Sequence, residues 1–143
     1  MQSITGFLGL GATSLVFGAI LFFSVIVAPT VFRTLEAKTA ATFIRAIFPW
    51  YYVYLTLVAA IGGLALSVSP GAQTASLVMF LVAVLGVKAR YVLLPRINTF
   101  RDAMLAGDQK AQTWFNLLHR SSVILNVIQL FLAGAALYLL HQA

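Results

Sequence analysis

The stretch from Ile4 to Phe32, ITGFLGLGATSLVFGAILFFSVIVAPTVF, contains no charged side chain, and the first charge after it is Arg33. About 20 apolar residues in an α-helix cross the hydrocarbon core of a bilayer, so this run reads as a transmembrane helix with length to spare for tilt or extension. Barrel strands need only about 9–11 alternating residues, which excludes a barrel. Pro29, near the end of the run, removes one backbone donor and predicts a bend there. The N-terminus lacks the positive flank of a secretory signal, and the stretch reads as a retained first span.

The pattern recurs along the chain, and the 143 residues read as a single transmembrane domain. Further spans are expected at about 49–68, 72–94 and 114–140, after a first span at about 4–32. Ser69-Pro70-Gly71 is a turn signal between the second and third. In the segment at about 38–48, Ala40, Phe43, Ile44, Ile47 and Phe48 recur at helical spacing opposite Lys38, Thr39, Thr42 and Arg45. This predicts a short amphipathic helix lying in the membrane interface, after which Pro49 opens the second span. Pro95 is expected to stop the third span. A short cytoplasmic helix at about 97–106 then follows, closed by Gly107, with Asp108 placed to cap the fourth helix. The expected fold is all-α, an integral membrane four-helix bundle with an interfacial helix and a cytoplasmic helical connection.

Composition agrees. Apolar residues make up 62% of the chain and charged residues 8%, against roughly 45–50% and 25% in soluble domains. The mean hydropathy is +0.99. The net charge of +6 comes from residues that flank apolar spans, so anionic lipid headgroups, and not nucleic acid, are the expected counter-charge. Arg33, Lys38 and Arg45 fall between the first two spans, and Lys88, Arg90, Arg96, Arg101, Lys110 and Arg120 surround the connection between the last two. The other loop and both tails carry no basic residue. By the positive-inside rule both charged connections are cytoplasmic and both termini face outward, as in a bacterial inner membrane protein. Phe48, Trp50, Tyr51 and Tyr52, with Trp114 and Phe115, read as aromatic anchors at the interface.

On the fourth helix His119, Ser122, Asn126 and Gln129 succeed one another at steps of three, four and three, and Ala133 and Ala136 continue the stripe. Polar groups in hydrocarbon are costly and face protein or water, so this stripe is expected to point into the bundle. It reads as interhelical glue, as the wall of a hydrated cleft open to the cytoplasm, or as part of a cofactor or catalytic site. Lys88, Arg90, Arg96, Arg101 and Arg120 read either as a topological signal touching headgroups or as an anion site, with Glu36 or Asp102 completing ion pairs. The absence of cysteine excludes disulfides, thiolate metal sites and a cysteine nucleophile. The carboxylates Glu36, Asp102 and Asp108 form no metal-protease spacing with histidine. No resident cofactor or metal is expected. Haem held by His119 would need a second chain, since His141 lies at the other end of the same helix. Gly11, Ser14 and Gly18, then Ala59 and Gly63, then Gly86, read as small-residue contact faces.

Phe22-Phe23-Ser24-Val25-Ile26-Val27-Ala28-Pro29-Thr30-Val31-Phe32 and Ile47-Phe48-Pro49 resemble the first half of the family containing human transmembrane protein 205 and its bacterial relatives. Leu94-Pro95-Arg96-Ile97, Leu118-His119-Arg120-Ser121-Ser122 and Asn126 extend the resemblance into the second half. It implies a four-helix membrane protein without an established reaction, leaning toward transport or trafficking, with Pro29, Pro49, Pro95, His119 and Asn126 as motif positions. The expected function is a small-solute or ion transporter or channel-like module with the polar stripe as its cleft. The alternatives are a structural, assembly or lipid-binding scaffold subunit, acting as a homo-oligomer or with a membrane-complex partner, and a haem-binding or other membrane enzyme.

Overall fold

Within hydrocarbon each backbone donor must be satisfied inside its own helix. The computed structural model, which describes residues 4–142, meets this demand with four helices long and apolar enough to cross a membrane: α1 (Ile4–Thr34), α2 (Ala37–Ser67), α3 (Gln73–Leu105) and α4 (Gln109–Gln142). No strand occurs among the described residues. Each helix packs against its sequence neighbours, and α1 closes the ring against α4. The shared core is formed by Val16 and Ile20 from α1, Leu55, Ala59 and Leu66 from α2, Met79 and Val82 from α3, and Ala133 and Ala136 from α4. Leu15, Leu64, Leu77 and Phe131 stay exposed on the outer faces, where lipid and not water is the compatible solvent.

The connections are short. Gly71 takes a positive φ of 77° in the turn between α2 and α3, a conformation that costs glycine no Cβ clash. Ser69 ties this turn to the start of α1 through a 2.9 Å hydrogen bond from its hydroxyl to Thr5. At the other turn Gly107 has φ 97°. Asp108 Oδ1 then accepts from the backbone amides of Lys110 at 2.9 Å and Ala111 at 3.3 Å, the expected cap on α4.

Prolines do not divide the helices where their positions predicted. The amphipathic segment expected at about 38–48 is the first part of α2, which continues through Pro49 to Ser67 without a break. The short helix expected at about 97–106 is likewise the end of α3, running past Pro95 to Leu105. A proline ring clashes with the carbonyl four residues before it and offers no amide. In α1 and α3 the clash is absorbed by one wide turn placed just ahead of the proline. Residues Phe23–Val27 and Ala89–Leu93 form π-helical turns, in which the amide of Ala28 bonds to the carbonyl of Phe23 and that of Leu94 to Ala89, five residues back. Pro29 and Pro95 follow directly, and both helices continue. The wide turn inserts an extra residue into the helix, the local geometry known as a π-bulge.

Small residues also sort differently from expectation. Ala59, Gly63 and Gly86 are buried at helix contacts, whereas Gly11, Ser14 and Gly18 lie on the outer face of α1. A Cβ on Gly86 would collide with the Thr56 hydroxyl, and one on Gly63 would stand 3.0 Å from the Phe80 ring, while nothing lies within 4 Å of one on Gly11 or Gly18. Gly86→Leu is therefore expected to cost about 1–3 kcal/mol by overpacking the α2/α3 contact. Gly18→Leu should leave thermal unfolding in detergent unchanged. Equal melting losses for the two would refute this division of faces.

Candidate functional site

The ends of all four helices that carry the basic residues surround a cavity of about 620 Å³. Its wall is apolar: Phe32 from α1, Ile44 and Phe48 from α2, Leu93, Leu94 and Ile97 from α3, and Phe115 from α4. Leu93 closes the wide turn of α3 and Leu94 follows it, so the backbone irregularity that accommodates Pro95 also shapes this wall. Lys38, Arg45, Asn98, Arg101 and His119 add polar groups, and Tyr52 and Ser122 are the deepest lining residues along α2 and α4.

Beyond Tyr52 and Ser122 the interior is packed, and most of its polar groups are paired. Tyr51 donates from its hydroxyl to Asn126 Oδ1 at 3.0 Å, and Asn126 Nδ2 donates to Tyr52 Oη at 3.4 Å and to the Ser122 carbonyl at 3.3 Å. Phe23 and Phe48 complete an aromatic cluster with the two tyrosines, Phe23 lying 4.8 Å from Tyr51 and Phe48 5.5 Å from Tyr52 between ring centroids. Gln129 donates to the Val82 carbonyl at 3.1 Å. Its Oε1 and the Thr56 hydroxyl are buried without a partner, and each such group carries a desolvation cost of about 1–3 kcal/mol. Val16, Ile20, Leu55, Ala59, Val82 and Ala133 then fill the bundle. The cavity is blind.

Its charges are unbalanced. Arg45 and Asp102 form a two-pronged ion pair, Nη1 to Oδ1 at 2.6 Å and Nη2 to Oδ2 at 3.0 Å. Both stand on polar extensions of their helices, beyond the apolar crossing segments. Hydrogen bonding from Arg45 holds the Asp102 carboxyl below its ordinary range, so it stays ionised at neutral pH. This is the ion pair found among the described residues. Arg101 donates from Nη1 to the Ala41 carbonyl at 3.0 Å, and neither it nor Lys38 is paired with a carboxylate.

The polar stripe of α4 does point inward, with Ser122 and Gln129 buried and Asn126 half-buried. His119 is exposed, lies against the Phe115 ring at 6.0 Å and reaches the cavity. Lys88, Arg90, Arg96 and Arg120 do not line it; Arg90 sits over the Tyr91 ring at 5.3 Å. Lys38, Arg45 and Arg101 supply the basic groups instead. Tyr51 and Tyr52, expected as interface anchors, are buried partners of Asn126, and only Trp50 of that run is exposed. Their spacing carried the signal: Tyr52, Leu55, Ala59 and Leu66 follow the helical period of one inward face. Lys38, Ala41 and Arg45 share a helical stripe in the same way, which a purely topological reading of basic residues passes over. Among the described residues no three of the His, Asp and Glu side chains gather as metal ligands.

These features describe an integral membrane protein. A family described as a domain of unknown function (DUF4149) matches residues 11–106. No curated protein and no solved structure matches the chain. Asn126, through Tyr51 and Tyr52, joins helices that do not otherwise touch closely. A double-mutant cycle of Tyr51→Phe with Asn126→Leu should give a coupling of about 0.6 kcal/mol and no more than about 1.7, the mean and maximum of interhelical hydrogen bonds measured this way in a membrane bundle. Strict additivity in detergent unfolding would show that the bond contributes nothing.

Proposed function

The chain belongs to the DUF4149 family, whose domain has no assigned reaction, and from the cavity we propose that it binds a single amphiphilic molecule within the membrane. The observation that carries this is the pairing of a blind, apolar-walled volume of about 620 Å³ with a basic rim. That volume lies within the roughly 300–1,000 Å³ typical of small-molecule sites. A hydrated ion would lose its solvation against Phe32, Ile44, Phe48 and Ile97, while a fully apolar guest would leave Lys38 and Arg101 without use. An amphiphile suits both parts.

The packed layer beyond Asn126 speaks against a conduit through one chain, which the transporter expectation needs. The lipid-binding alternative fits the geometry better. With all nine basic residues outside the opposite loop and the tails, the positive-inside rule supports a cavity in the cytoplasmic leaflet with both termini outside, and a bacterial inner membrane is the setting proposed for it. The resemblance to the family of human transmembrane protein 205 would carry over Pro29, Pro49, Pro95, His119 and Asn126 as motif positions. One of these motif positions, His119, lines the cavity.

A guest that binds only the folded state stabilises it by about 2.7 kcal/mol at one hundred times its Kd. Amphiphiles co-extracted with the protein and identified by native mass spectrometry should therefore raise its melting temperature when added back. Ile97→Trp, which fills the cavity from its half-buried wall, should abolish that rise and weaken binding at least about tenfold with helicity intact. Unaltered binding by this variant would sink the proposal.

A further inference from the structure

Lys38, Ala41 and Arg45 lie at i, i+3 and i+7 of α2 and therefore on one stripe, and all three line the cavity. Arg101, from the opposite wall, bonds to the carbonyl of Ala41, the residue between the other two basic positions. Three cations thus line the cavity within about two helical turns and no carboxylate lines it; Asp102 pairs with Arg45 beside it, and Glu36 lies at the exposed N-cap of α2, two residues before Lys38 and unpaired with it. Arg45 uses both prongs of its guanidinium on Asp102. Arg101 spends one of its donors on Ala41, and the remaining guanidinium donors and the Lys38 ammonium are not committed to any carboxylate. Like charges beside a low-dielectric wall repel more strongly than in bulk water. Once Asp102 is set against Arg45, the lining keeps two cations, Lys38 and Arg101, that no carboxylate pairs.

We propose that the amphiphile has a phosphate monoester as its headgroup, seated between Lys38 and Arg101, and a single apolar chain lying along Ile44, Phe48 and Leu94. This rests on the reading of the cavity as an amphiphile site and specifies its ligand class. A phosphate monoester carries about −1.5 to −2 charges at pH 7 and three acceptor oxygens. It therefore matches both the excess charge and the free donors. A fatty-acid carboxylate brings one charge and leaves the rim half compensated. A zwitterionic phosphodiester brings its own ammonium, which the rim repels. Asn98 and His119, also lining the cavity, stand as further neutral or cationic donors, and neither adds a competing negative charge. The guest has one chain because the apolar wall encloses one blind volume.

The experiment titrates the full-length protein in neutral detergent with a monoacylglycerol phosphate, the matching monoacylglycerol, the matching phosphocholine ester and inorganic phosphate. The phosphate monoester is expected to bind at least about tenfold more tightly than the uncharged amphiphile. Its advantage should shrink as pH falls through its second pKa of about 6. Lys38→Gln combined with Arg101→Gln should erase the advantage while affinity for the uncharged amphiphile stays the same. Asp102→Asn removes the carboxylate that occupies Arg45 and should tighten binding of the phosphate monoester selectively, so a gain is read even where the double variant does not fold. Equal affinity for all three amphiphiles would overturn the headgroup assignment and leave the amphiphile reading standing. Binding of none of them would overturn both. Inorganic phosphate binding as tightly as the lipid would show a site for a soluble anion and overturn the lipid source.

Discussion

An amide side chain inside a membrane bundle has to be answered by another polar group, and Asn126 decides what stands opposite it. Its carbonyl takes the Tyr51 hydroxyl and its amide reaches Tyr52, so two aromatic side chains that belong by composition at an interface are drawn into the core. The tyrosines bring Phe23 and Phe48 with them. This layer is where the bundle changes character. On one side the helices meet through small residues and pack without a lining gap; on the other they enclose the cavity.

The four apolar crossing runs were legible because hydrophobic length is a one-dimensional property of the chain, but helix bounds were not, since α2 begins at Ala37 and α3 runs on to Leu105. The inward direction of Ser122, Asn126 and Gln129 was legible too, since the cost of exposing amides to lipid leaves one answer. Proline was misleading for a physical reason. Its local rule forbids a regular turn, but a wide turn of five residues satisfies the same steric demand and lets the helix go on, as at Pro29 and Pro95. Gly11 and Gly18 misled in the opposite sense. Smallness permits close approach without requiring it, and only the rotation of α1 in the bundle shows that Gly9, buried against Leu66, is the glycine in contact.

Basic residues were legible as a group and not as individuals. Their one-sided placement sets a topology, yet topology does not distinguish Arg120 from Arg101. What separates them is the packing of the end of α3 against the start of α2, expressed in the Arg45 to Asp102 pair and the Arg101 to Ala41 bond. Both contacts join residues far apart in sequence. An exposed ion pair of this kind adds little stability by itself. Its effect is positional, since it fixes two extensions that otherwise have few apolar contacts.

The wide turns in α1 and α3 have a mechanical consequence. Both sit toward the basic end of the bundle, that of α3 reaching the cavity wall through Leu93 and that of α1 the aromatic layer through Phe23, while the helical stretches toward the opposite end are close-packed. The two halves of the molecule thus differ in compressibility. Lateral pressure in the leaflet around the basic end acts on a half that has volume to give up, and the other leaflet presses on a solid. Whatever volume this protein can give up lies in the half that holds the cavity.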